Sequence, residues 1–152
     1  MSKRSDRLTS YPAKGSRNSL WMWSKVRNPL RVVLNFLVIE ICKFFPSLRV
    51  RLFLCRLIGM DLGENVSIGL GVQFDIFFPD MIKIDDNTII GYNSTILCHE
   101  FLIEEYKTGE VEIGKDVMIG ANSTVIAGVK INDRSKIGAG SVVVKDVPEN
   151  EF

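Results

Sequence analysis

From Ile113 to Val147 an aliphatic residue recurs every six positions: Ile113, Ile119, Val125, Ile131, Ile137 and Val143. Four residues after each stands a small or β-branched residue: Val117, Ser123, Val129, Ser135, Ser141 and Val147. A period of six fits neither an α-helix nor an isolated strand. It fits a chain that makes a short strand, turns a corner and repeats, so that stacked coils bury one continuous core. Turn-forming residues fall between the apolar positions: Ile-Gly at 113, 119 and 137, then Asn122 and Gly140. Gly and Asn tolerate the φ > 0 that tight corners demand.

The ladder starts earlier, with Leu62, Ile68 and Phe74, then Ile84, Ile90 and Ile96. Phe74 to Ile84 is one hexad plus four residues, and Ile96 to Ile113 is one hexad plus eleven. Twelve hexads taken in threes predict an all-β solenoid, a parallel β-helix of about four triangular coils over residues 61–152. Both insertions then leave from the same corner, which marks a functional rim. The larger, residues 101–112 (FLIEEYKTGEVE), is long for a loop in a compact repeat. Its apolar start, Phe101-Leu102-Ile103, predicts that it packs against something.

Ahead of the ladder the pattern changes. Residues 1–28 are polar and basic and read as a flexible tail, with no apolar core of a secretory signal. Trp21 and Trp23 sit beside basic residues, as interfacial anchors do and as two Trp packed on a neighbouring element also do. Residues 29–60 read as an amphipathic helical segment. Leu30 to Phe45 forms one helix, started by Asn28-Pro29 and stopped by Pro46. One face carries Leu30, Val33, Leu34, Leu37, Ile41 and Phe44; the other mixes Arg31, Asn35, Glu40 and Lys43 with Val32, Phe36 and Ile39. It is shorter than the ~20 apolar residues of a span, so it lies on a membrane surface or packs at the end of the solenoid. A second short helix runs from Ser47 to Gly59.

Composition sharpens this picture. The 152 residues suit one domain with an appendage. Cys42, Cys55 and Cys98 are odd in number and lack CxxC spacing, so they read as free thiols of a reducing, cytoplasmic compartment. A single His rules out sites built from several imidazoles, and no metal is expected. The net charge of +1 hides an asymmetry: residues 1–60 hold 12 Lys/Arg and 2 acids, while residues 61–152 hold 7 Lys/Arg and 16 acids. The basic part either meets an anionic membrane surface or matches the acidic solenoid within the molecule; no nucleic acid is expected.

The stretches QFDIFFPDMIKIDDNTIIGYNSTI, LCHEF, VEIGKDVMIGANSTVIAGVKI and IGAGSVVVKDVP resemble the hexapeptide-repeat, left-handed β-helix acyltransferases, over residues 57–148. The nearest group is similar to the maltose, galactoside and nodulation sugar O-acetyltransferases, and the lead-in RLFLCRLIGMDLGENV to acetyltransferases of surface-polysaccharide biosynthesis. The resemblance implies the left hand of the helix, a homotrimer with active sites between subunits, and acetyl-CoA as co-substrate. It implies a transferase that moves acetyl to a sugar or saccharide hydroxyl, with His99 as catalytic general base. An imidazole, with an ordinary pKa of about 6.5, is suited to taking a hydroxyl proton near neutrality. Asp75 falls on the prism face of His99 one coil away, ~4.8 Å along the stack, and is expected to hold the acceptor. Asp80 and Glu100 are further candidates for acceptor contact or for orienting His99, as are Glu104, Glu105 and Glu110 for the latter. Along the last coils the resemblance places the pantetheine arm against Gly120, Ala121 and Ala139, with Val144 and Lys145 near the phosphates. A backbone N–H near Gly120 or Ala121 is a candidate oxyanion donor. Relatives of this kind continue past DVP with a Gly-, Asn- and Pro-rich stretch; an end at Phe152 leads to an expectation of a less covered donor site. Cys98, adjacent to His99 on a strand, should point to the opposite face and take no part. A non-catalytic β-helix scaffold, or a membrane-associated assembly protein, is the alternative reading.

Overall fold

A computed structural model of the chain describes residues 2–152. In it the hexads form three parallel sheets of four short strands each, and the chain visits the sheets in strict rotation. Leu62, Ile84, Ile113 and Ile131 align in the first sheet. Ile68, Ile90, Ile119 and Ile137 align in the second, and Phe74, Ile96, Val125 and Val143 in the third. All of these side chains are buried and form one cluster down the middle of the prism. Each backbone N–H and C=O of a strand is satisfied by the coil above or below, so stacking solves hydrogen bonding and burial together.

The corners explain the small and polar residues of the repeat. Between the first and second sheets the third residue after each hexad position has positive φ: Asn65, Asn87, Asp116 and Arg134. Between the second and third sheets the same position holds Gly71, Asn93, Asn122 and Gly140. Asn side chains then bond from coil to coil, Asn87 Nδ2 donating to Asp116 Oδ1 (2.7 Å) and Asn93 Nδ2 to Asn122 Oδ1 (2.9 Å). The Ile-Gly glycines have a different reason, and the sequence expectation is corrected here. Their φ is not positive. A Cβ on Gly120 would lie 2.7 Å from Ala139 Cα and would strike the Ala139 nitrogen, so the next coil leaves no room for a side chain.

The third corner is irregular. It carries the 3-10 turn Pro79–Met81 and a β-hairpin of His99–Phe101 and Glu105–Thr108 within the expected 101–112 loop. Phe101 is half-buried there, but Leu102 and Ile103 are exposed, so only the first residue of that apolar run packs.

Three helices precede the prism: α1 (Trp23–Val26), α2 (Pro29–Phe44) and α3 (Leu48–Leu57). Asn28 and Ser47 cap α2 and α3 through their side-chain oxygens. The face of α2 that meets the prism carries Val32, Asn35, Ile39 and Cys42. Asn35 Nδ2 donates to Ile76 O (2.9 Å), and Arg31 donates to Ile58 O (3.0 Å). The uniformly apolar face, from Leu30 to Phe44, is turned outward. Among the described residues no helix is long and apolar enough to cross a membrane.

Within the segment expected as a flexible tail, residues 2–28 form an arm packed along the prism; Met1 lies outside the described residues. Thr9–Pro12 adds an antiparallel strand to Glu105–Thr108, giving a three-stranded sheet outside the prism. Tyr11 stacks on Tyr106, with ring centroids 4.7 Å apart. Arg4 and Arg7 donate to the carbonyls of Ala127 (2.7 Å) and Gly128 (3.0 Å). Leu8 fills the space over Gly109 and Gly128, where no Cβ intervenes. The backbone of this arm finds its partners in the hairpin, which is why a polar segment is fixed.

Candidate active site

His99 stands at the start of the hairpin, at the hexad offset that holds the positive-φ residues of the other two corners. Its ring Nδ1 lies 2.5 Å from Asp75 Oδ2. Asp75 is fully buried. Its Oδ1 accepts the backbone N–H of Phe77 (2.8 Å) and of Phe78 (2.9 Å), and its Oδ2 also accepts the N–H of Cys98 (2.7 Å). Burial opposes the charge, but the His99 ring and the N–H groups of Phe78 and Cys98 outweigh it and hold the carboxyl below the ordinary carboxylate range. An ionised carboxylate can only accept, so Nδ1 carries a ring hydrogen, and in the neutral imidazole the lone pair is then on Nε2.

The expectation that Asp75 holds the acceptor is therefore corrected: no face of its carboxylate is open to a ligand, and it acts on His99. It also resolves which acid orients the histidine. Glu104, Glu105 and Glu110 do not contact the ring; Glu105 pairs with Lys107 at 3.4 Å. Glu100 pairs with Arg4, and Asp80 takes both guanidinium nitrogens of Arg27 at 2.9 and 3.1 Å. Both acids thus face the N-terminal segment.

Aromatic rings wall the histidine. Phe77 and Phe101 meet it edge-on at 5.0 and 4.9 Å. Trp23 touches Phe77 at 6.4 Å, and Tyr106 touches Phe101 at 5.9 Å. The result is an imidazole with an apolar collar and one polar support. Cys98 points into the core, where burial and the nearby Asp75 charge push its thiol well up, away from thiolate chemistry.

The expected donor residues are divided. Gly120, Ala121 and Ala139 lie on the edge between the second and third sheets, away from His99. The N–H of Gly120 is spent on Ile137 O (2.8 Å), which removes it as an oxyanion donor. Val144 and Lys145 follow the last strand on the edge of His99 and line a cavity of about 680 Å³. Lys3, Arg4 and Arg7 of the arm form the opposite wall of that cavity. Arg4, Arg7 and Phe77 escaped the sequence reading, which placed Phe101 and Tyr106 in the insertion without a part in the site. The aromatic residues beside Asp75 and at the head of the insertion were the available signal.

The hexads themselves match the six-repeat model of the bacterial transferase hexapeptide family, over residues 110–145. The chain belongs to this family, and within it to the acetyltransferases. It is 47% identical over 143 residues to YvoF of Bacillus subtilis, a protein with a provisional acetyltransferase name, covering 93% of this chain and 83% of that one. The galactoside O-acetyltransferase of Escherichia coli is 37% identical over 99 residues, covering 58% of this chain and 49% of that one. Among solved structures, a galactoside acetyltransferase in complex with coenzyme A superposes with a TM-score of 0.64 at 25% identity, over 80% of this chain and 74% of that one. A hexapeptide-repeat acetyltransferase of Vibrio cholerae complexed with acetyl-CoA gives 0.60 at 21% identity, over 79% of each chain, and shows the same fold.

Proposed function

We propose that the protein transfers an acetyl group from acetyl-CoA to a hydroxyl of a sugar or saccharide, with His99 as general base. The observation that carries this reading is the buried Asp75 beneath His99 Nδ1, which leaves Nε2 as the proton acceptor. Nε2 takes the hydroxyl proton as the oxygen attacks the thioester carbonyl. The tetrahedral intermediate collapses, the C–S bond breaks, and the imidazolium returns the proton to the departing CoA thiolate. The collar of Phe77 and Phe101 excludes water, which would otherwise compete as the nucleophile. A non-catalytic scaffold would account for the backbone N–H groups that Asp75 accepts, but it gives no use for the imidazole oriented above them.

The twelve hexads wind as four left-handed coils, as in the family. The split of the donor residues between two edges supports a homotrimer, in which Gly120, Ala121 and Ala139 of one subunit approach His99 of the next. Lys145 and the arm residue Lys3 offer charge to the phosphates of CoA at the cavity they share. The same reading keeps the enzyme in the cytoplasm, with residues 1–60 toward an anionic membrane surface.

An acetyl-CoA-dependent assay over free sugars, nucleotide sugars and polysaccharide fragments tests it. One or more saccharides should be acetylated, and His99→Ala should lower the rate by about 10²–10⁴-fold. Equal rates for the two proteins would refute the assignment.

A further inference from the structure

The N-terminal charges fall into two groups. Arg4, Arg7 and Arg27 pair with Glu100, Asp146 and Asp80 of the prism. Lys14, Arg17 and Lys25 have no carboxylate partner among the described residues. They converge instead on a cleft of about 170 Å³ beside Trp21 and Met22, and Arg17 lies 5.0 Å over the Trp21 ring. Next to it is a larger cleft, about 470 Å³, lined by Asn18, Leu20, Trp21 and Trp23.

The apolar surface that continues from these clefts is large. Leu30 is 81% exposed, Phe44 76% and Trp21 67%, with Val33, Leu34, Leu37, Ile41, Phe53 and Leu57 exposed between and beside them. A helix normally buries its apolar face and shows its polar one. Here α2 turns Arg31 and Asn35 inward, hydrogen-bonded beside the buried Val32, Ile39 and Cys42, and leaves a second apolar face, of leucines and phenylalanines, turned out. Contiguous exposed apolar surface of this kind is an interaction site.

We infer that the outward faces of α2 and α3, with Trp21 and Trp23, seat in the plane of an anionic phospholipid bilayer, the phosphates being held by Lys14, Arg17 and Lys25. The 16 residues of α2 make a rod of about 24 Å, long enough to lie in the interface and too short to span it. Trp and Lys/Arg at the rim of an apolar face is the composition of such a seat. A second copy of the chain is the rival occupant. A two-fold contact through this face would bring two copies of the Lys14, Arg17 and Lys25 cluster into one assembly, with no acid in either cluster to offset them. Trp23 touches Phe77, which touches His99, so the seat lies beside the candidate active site. The inference rests on the membrane-facing part of the proposed function and is independent of the acceptor.

Flotation of the full chain with vesicles of phosphatidylcholine, with and without phosphatidylglycerol, tests it. The protein should float with the phosphatidylglycerol vesicles and be released in part by high salt. The double substitution L34E/L37E should cut the bound fraction at least about tenfold while leaving thermal stability unchanged. K14E/K25E should remove the preference for phosphatidylglycerol. Failure of the wild type to float with either vesicle would overturn the inference, as would L34E/L37E floating like the wild type. So would a self-associated form that L34E/L37E dissolves and that never floats. Flotation does not read acetyl transfer, so a wrong acceptor leaves the result standing.

Discussion

Asp75 Oδ2 sits 2.5 Å from His99 Nδ1, one coil below it, and the same oxygen accepts the N–H of Cys98 at 2.7 Å. The carboxylate therefore fixes both the ring and the strand that delivers it. Asp75→Asn would place an amide N–H₂ or a neutral oxygen where two donors now point. The imidazole should lose its tautomer, and the rate should fall by about 10²–10⁴-fold with little change in acceptor KM. Steady-state kinetics of the purified variant check this; a drop in acceptor affinity with an unchanged kcat would restore Asp75 to an acceptor-binding role.

The same carboxylate links stability to pH. Its folded pKa lies below the ordinary value of about 4. A depressed carboxyl contributes stability in full above the unfolded pKa and loses it as pH falls through the folded one. The stability gap between wild type and Asp75→Asn should thus shrink as pH falls below about 4. Urea unfolding of both proteins across that range measures it.

Arg51 on α3 is 4% exposed, and its Nε and Nη1 have no hydrogen-bond partner. A buried cation without compensation destabilises the fold. Arg51→Met should raise stability by about 1–3 kcal/mol, read as a higher Tm.

Gly120 separates a packing role from a donor-binding one. Gly120→Ala should destabilise by about 1–3 kcal/mol, because the added methyl meets the Ala139 backbone. Denaturant unfolding without any CoA present reads that loss directly.

The core was legible because it is periodic: each of Leu62 through Val143 in the hexad register is buried where the count placed it. His99 was legible as the one imidazole, standing where the count breaks. Asp75 was placed on the right face and coil, but its burial and its bond to His99 were not foreseen. A hexad count gives the position of a Cα and does not tell whether a side chain turns into the wall or out of it. The arm was illegible for a related reason. Thr9–Pro12 is exposed and lacks alternation, and it is a strand only because Glu105–Thr108, far along the chain, offers an open edge. The orientation of α2 ran against its own amphipathicity, since Asn35 finds its partner on the prism at Ile76 O.

The arm has a temporal consequence. Arg4 is bound to Ala127, 123 residues away, and Arg7 to Asp146, 139 residues away. During synthesis the N-terminal strand has nothing to grip until Glu105–Thr108 has left the ribosome, and Arg7 waits longer, for Asp146. Its docking closes the longest loop in the chain, so it comes late in any folding order governed by loop entropy. The hairpin that carries His99 thus gains its third strand only from the far end of the sequence, and a chain whose arm has not docked holds His99 on a two-stranded ribbon.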